Sequence, residues 1–132
     1  MSLSDRKFKT KVYKILPFSK WQKKTNLSDK ALLDAIGEME NGLIDAYLGG
    51  NLYKKRVKKP GMGKSGGYRT IIASNKDGRW FFIHGFSKNE LENLENSTLK
   101  ALKEFANDLL YNFNIQEFLA QKQIMELSYE KE

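Results

Sequence analysis

The sequence predicts an α+β fold: an antiparallel sheet of about four strands, helices packed on it, and a C-terminal helical extension. Three observations predict it. Leu32, Ala35, Ile36, Met39 and Leu43 recur at helical spacing with Asp34, Glu38 and Glu40 opposite. Three β-type runs follow one another, separated only by turn signals, which is the pattern of a meander. Leu99, Leu102, Ala106, Leu109 and Phe113 then form a second helical stripe. Residues 1–132 read as one domain, with 113–132 as the extension, because no repeat, linker or low-complexity stretch divides them.

Each element has a local reason. Val12, Ile15 and Leu16 precede Pro17, so Lys11–Leu16 reads as a short strand. Phe18–Lys24 reads as a short helix with Phe18 and Trp21 on one face. Ser28 is a good N-cap for the helix that follows, and Asn41-Gly42 ends it. Gly49-Gly50-Asn51 is a turn, and Leu52–Val57 a strand. Residues 60–67 hold four glycines and a proline, which suits a loop alone. Tyr68–Ser74 is a strand, Lys76-Asp77-Gly78 a hairpin turn, and Arg79–Phe86 the strongest strand of the chain. On strict alternation Phe81 and Ile83 occupy one face of it, and Trp80, Phe82, His84 and Phe86 the other. Both faces are apolar, so the second face is either covered or binds something suited to aromatic and basic groups. Asn96-Ser97 caps the last long helix. The cluster in Ile115–Leu127 is either a helical turn or a short edge strand.

Composition narrows the chemistry. The chain has 132 residues, no cysteine and one histidine, His84. Disulfide scaffolds, cysteine nucleophiles, thiolate metal sites, His-rich zinc sites and paired histidines are thereby excluded. No metal or cofactor is expected. The longest uncharged aromatic run, Trp80–Phe86, is too short to span a membrane, and Lys14 interrupts Val12–Phe18, so neither span nor signal peptide is expected and the default location is the cytoplasm.

The net charge is +7, unevenly spread. Residues 1–30 carry +7, 31–50 carry −4, 51–69 carry +7 with no acid, and 89–132 carry −5. A basic block with aromatics nearby is the footprint of a polyanion binder, nucleic acid above all. Lys54 and Arg56, two apart on one strand, point to the same face. Arg69 lies across the loop and Lys88 follows the last strand. Such cations repel one another unless an anion joins them, and a phosphodiester suits the arginine fork. On pattern alone, decoration of an exposed strand explains Lys54 and Arg56 slightly better. His84 is an acid/base candidate by its ordinary pKa, although a lone histidine in an aromatic strand is more often structural. Glu90, Glu92 and Glu95 are too loosely spaced for a metal and read as a solvated face.

Gly61-Met62-Gly63-Lys64-Ser65-Gly66 matches two nucleotide-binding strings, and context rejects both. The dinucleotide fingerprint needs a strand before and a helix after, whereas here a strand follows; the P-loop needs glycine where Lys58 stands. What remains is a basic loop whose amides can approach phosphate, with a plain hairpin connection as the equal alternative.

Leu52-Tyr53-Lys54-Lys55-Arg56, Gly61-Met62-Gly63-Lys64-Ser65-Gly66-Gly67-Tyr68-Arg69-Thr70-Ile71-Ile72 and Trp80-Phe81-Phe82-Ile83-His84-Gly85-Phe86-Ser87-Lys88-Asn89-Glu90 together resemble the RelE/HigB group of type II toxin–antitoxin toxins. The resemblance is greatest to the subgroup with a Gly-Lys-Ser-Gly-Gly-Tyr-Arg loop. It implies a β-α-α-β-β-β-α fold and a metal-independent endoribonuclease that cuts messenger RNA on the ribosome and so inhibits translation. It also implies a cognate helix-turn-helix antitoxin. On this resemblance Arg69 stabilises the pentavalent phosphate, Lys54 and Arg56 flank the scissile phosphate with Lys54 as base, and Lys88 stabilises the leaving group. Lys55, Lys58, Lys59, Lys64, Tyr68 and Phe86 contact RNA. Some relatives have a Tyr or a second Arg near the end of the last strand; here Phe86 has no proton to give, which leaves His84 or Lys88 as the acid. The alternatives are a non-catalytic RNA- or ribosome-binding module, a ParE-type gyrase inhibitor on the same fold, and a remnant with a silent site.

Overall fold

The structure is a computed structural model and describes residues 10–58, 67–87 and 95–129. The elements run β1 (Lys11–Ile15), α1 (Leu16–Gln22), α2 (Asp29–Glu40), β2 (Ala46–Gly49), β3 (Leu52–Val57), β4 (Tyr68–Ala73), β5 (Arg79–Ser87), α3 (Asn96–Asn107), α4 (Ile115–Ala120) and β6 (Ile124–Leu127). A π-helical turn, Asp108–Asn112, continues α3.

The α+β class stands, and the sheet corrects the expectation. It has six strands in the order β2-β3-β4-β5-β1-β6, and β1 runs parallel to β5. The direction of β1 was illegible because a long connection separates the two strands, and only short hairpins dictate antiparallel pairing. The extension is not purely helical either: the tail forms both α4 and β6, and β6 pairs antiparallel with β1. It covers the edge that β1 would otherwise present to solvent.

Local signals set most boundaries. Pro17 lies at the first positions of α1, where its missing N–H costs nothing. The Ser28 hydroxyl accepts from the Ala31 N–H at 3.1 Å and caps α2. The turn before β3 places Gly49, Gly50 and Asn51 at positive φ. The expected Asn96-Ser97 cap is absent, because α3 already includes both residues and Glu95 stands at the N-cap without a side-chain bond.

Register assigns the faces, since directly paired residues share one. Leu52, Ala73, Phe81 and Tyr13 lie on one face, where Tyr13 stacks on Phe81 at 4.8 Å and Arg79 donates to the Leu110 carbonyl at 2.9 Å. The π-helical turn therefore packs there. Phe82, Thr70 and Lys55 lie on the other face, against α1 and α2: Phe18 meets Phe82 at 5.2 Å. Both faces are covered in part, which accounts for the doubly apolar β5.

On the α1 face Trp21 packs against Gly85, where a Cβ would overlap the indole ring. We expect Gly85→Ala to destabilise the fold by about 1–3 kcal/mol through overpacking, and to cost less in a Trp21→Leu background. Urea denaturation of the four-member cycle measures both.

Candidate functional site

A bulge in β5 builds the site. The β4–β5 register pairs Ile72 with Phe82 but Ile71 with His84, so Ile83 is extra. A one-residue shift moves every later side chain to the opposite face. His84 and Phe86 therefore do not share the face of Trp80 and Phe82, as strict alternation expects. They stand with Phe81 instead, on the face that carries Lys54 and Arg56.

Two cross-strand rows result. Arg56 pairs with Arg69, and Arg69 with Phe86; Lys54 pairs with Ile71, and Ile71 with His84. Opposed side chains in such rows stand about 5 Å apart at Cβ, and diagonal ones about 7–8 Å. Two arginines directly opposite each other repel. Among the described residues Lys11 pairs with Glu126, Lys14 with Asp29, Lys30 with Asp34, Lys55 with Glu38 and Arg79 with Asp77. Among the described residues, none of Lys54, Arg56 and Arg69 has an ion-pair partner.

Arg69 is the extreme case. It is only 8% exposed, and its Nη1 is buried with no hydrogen-bond partner among the described residues. A buried guanidinium nitrogen without a partner is costly, and a folded protein seldom keeps one without a use. Beside it Phe86 is buried and His84 half-buried, with ring centroids 6.0 Å apart. Gly67 lies so close to the Val57 carbonyl that a Cβ would overlap it, which fixes where the chain enters β4.

Two expected contacts lie elsewhere. Lys55 is 1% exposed on the opposite face, donating to Glu38 Oε1 at 2.7 Å and to the Leu43 carbonyl at 3.0 Å. It ties β3 to α2 and is no surface contact for RNA. Tyr68 shares that face and meets Trp21 edge-on at 5.5 Å. Lys58 is exposed at the end of β3, where it lines a groove of about 210 Å³ with Arg56, Ala31, Asp34 and Glu38. Lys59, Lys64 and Lys88 lie outside the described residues.

One residue was missed by sequence reasoning. The Asp45 carboxylate accepts from the Arg56 backbone N–H at 2.5 Å, where β2 has ended and no strand partner remains. It holds the Arg56 backbone by its edge, and the guanidinium has no ion-pair partner among the described residues. No local pattern announces a contact between residues eleven apart.

Among the described residues, no helix is long and apolar enough to cross a membrane. Nor do three His, Asp or Glu side chains there gather into a metal-binding group. A search of curated proteins found no match to the chain. The model of one family, described as the RelE toxin of the RelE / RelB toxin-antitoxin system, matches residues 10–127. With the match spanning the sheet from β1 to β6, the chain belongs to the RelE toxin family, the toxins of a toxin–antitoxin system that have an antitoxin as partner.

Proposed function

We propose that this toxin is a metal-independent endoribonuclease that cleaves messenger RNA on the ribosome. The partnerless Nη1 of Arg69, beside Arg56 and Lys54, which have no ion-pair partner among the described residues, carries the reading. Three cations on one face suit a strong anion, and a phosphodiester going through a doubly charged pentavalent state is such an anion. In the reaction the RNA 2′-oxygen attacks the adjacent phosphorus as its proton leaves to a base. The bond to the 5′-oxygen breaks with its electron pair, and that oxygen takes a proton. The products are a 2′,3′-cyclic phosphate and a 5′-hydroxyl.

Lys54 is the proposed base. It is half-buried on the face that carries Arg56 and Arg69. His84 or Lys88 is the proposed acid. Arg69 would donate to the equatorial oxygens, strengthening as charge grows there. The Gly-Lys-Ser-Gly-Gly-Tyr-Arg string supports the narrower HigB-like assignment, and a helix-turn-helix antitoxin is the proposed inhibitor.

The test is primer extension on a translated message after induction of wild type and Arg69→Ala. New in-frame cuts that vanish in the variant support the reading. Arrest of growth without cuts overturns it in favour of a ribosome blocker or a gyrase inhibitor, and intact growth overturns it in favour of a silent site.

Lys58 gives a second, smaller prediction. Binding to single-stranded RNA should weaken with salt along a log–log slope that becomes shallower by about 0.7 in Lys58→Ala, since one phosphate contact is lost. Fluorescence anisotropy at several salt concentrations measures it.

A further inference from the structure

The turn between β2 and β3 lies under a side chain of α3. Gly49 ends β2 and Gly50 follows it, both at positive φ, 86° and 60°. A Cβ on Gly50 would stand 2.8 Å from the Cγ of Lys103 and 2.9 Å from its Cδ. One on Gly49 would stand 3.7 Å from Lys103 Cε and 3.3 Å from Nζ. The lysine therefore lies flat along the two glycines, from the turn back over the end of β2, with its ammonium foremost. Positive φ already favours glycine at both positions. The stem adds a second demand, bare backbone beneath it.

Register shows where the ammonium heads. Gly49 pairs with Leu52 and Ala46 with Lys54, so the stem runs toward the Lys54 row. Its Nζ stands where a Gly49 side chain would stand, and directly paired residues share a face. That face is Leu52's, which Lys54 and Arg56 share by alternation. By strand rise Leu52, Lys54 and Arg56 follow one another at about 7 Å. Cations thus occupy three successive rows of one face: Arg56 with Arg69, then Lys54, then Lys103 above Gly49 and Leu52. Lys103 is half-buried and has no ion-pair partner among the described residues. A lysine that merely covered the turn could carry its ammonium out into water. This one is laid along the sheet toward other cations, which repel it until an anion joins them.

We propose that Lys103 binds a phosphate flanking the scissile one, so that the RNA strand crosses from the Arg56–Arg69 row over Lys54 to the β2–β3 turn. A single strand is held by a basic track that follows its backbone, and steps of about 7 Å between rows are on the scale of one extended nucleotide. The inference rests on the nuclease reading and adds to it a subsite for the neighbouring nucleotide. The contact is to phosphate and reads no base, so Lys103 supplies affinity and not sequence choice.

The test is the salt dependence of binding to a short single-stranded 2′-O-methyl RNA, which has no 2′-hydroxyl and is not cut, followed by fluorescence anisotropy. Lys103→Met keeps the stem over Gly50 and removes the charge. Its log–log slope should be shallower than that of wild type by about 0.7, one phosphate contact, and Lys103→Arg should restore it. Lys122, exposed on the turn between α4 and β6 at the opposite edge of the sheet, is the control for net charge. Lys122→Met should keep the wild-type slope. In cleavage of a translated message, Lys103→Met should raise the half-saturating toxin concentration about fivefold and leave the maximal rate within about twofold, the pattern of a contact equal in ground and transition states. A wild-type slope in Lys103→Met, beside a shallower one in Arg69→Met, overturns the inference and leaves the nuclease reading standing. An equal fall in Lys103→Met and Lys122→Met also overturns it, since net charge alone then explains the slope. If wild-type protein cuts no message, the nuclease reading fails and the inference fails with it.

Discussion

Arg69→Met will cleave at least about a hundredfold more slowly than wild type, the scale set by loss of one preorganised donor to a charged transition state. The same variant will be the more stable protein. Met keeps most of the volume and removes a buried charge that has no hydrogen-bond partner at Nη1 among the described residues. Relief of such a group is worth about 1–3 kcal/mol, read as a higher urea midpoint. The opposite signs make the prediction discriminating. A guanidinium kept for structure would lose stability when replaced; one kept for an arriving phosphate loses only activity. Arg69→Lys tests the fork itself, because a lysine restores charge without two parallel N–H donors. It should regain little of the rate. Single-turnover cleavage and urea denaturation on the same preparations decide between these readings.

The second large effect concerns Lys55. Glu38→Ala should cost about 3 kcal/mol, since it strands a buried ammonium. The low end of the usual range applies, because the Glu38 side chain is itself 36% exposed and water can partly replace it. Lys55→Met should cost less than about 1 kcal/mol, because an apolar side chain of similar reach fills the same space and the exposed carboxylate rehydrates. The double variant should match Lys55→Met alone, a non-additivity of about 2–3 kcal/mol. Cleavage by Lys55→Met should stay within a few fold of wild type. A large loss of rate at unchanged stability would return Lys55 to the RNA surface, against its bonds to Glu38 and Leu43.

These two residues show how far local pattern reaches. In Lys54-Lys55-Arg56, alternation places the outer two together and the middle one opposite, and the structure agrees. Alternation does not say which face lies under a helix. Glu38, seventeen residues earlier, decides that by offering the buried lysine a carboxylate. Tyr68 followed the same rule, its face settled by Trp21.

The sequence by itself determined the α+β class, the boundaries of β3, the Ser28 cap, the turn before β5 and the uncompensated basic block. Each depends on neighbours within a few residues: side-chain period, capping oxygens, positive φ at glycine, or the plain count of charges. The tertiary structure alone decided the parallel β1–β5 pair, the return of the tail as β6, the orphaned nitrogen of Arg69 and the bulge at Ile83. The bulge matters most for function. Without it, alternation sets His84 and Phe86 against α1; with it, they join Arg69 and Arg56. A strand's own residues specify its alternation, but its register is chosen by the strands beside it and by the helices that must fit against each face.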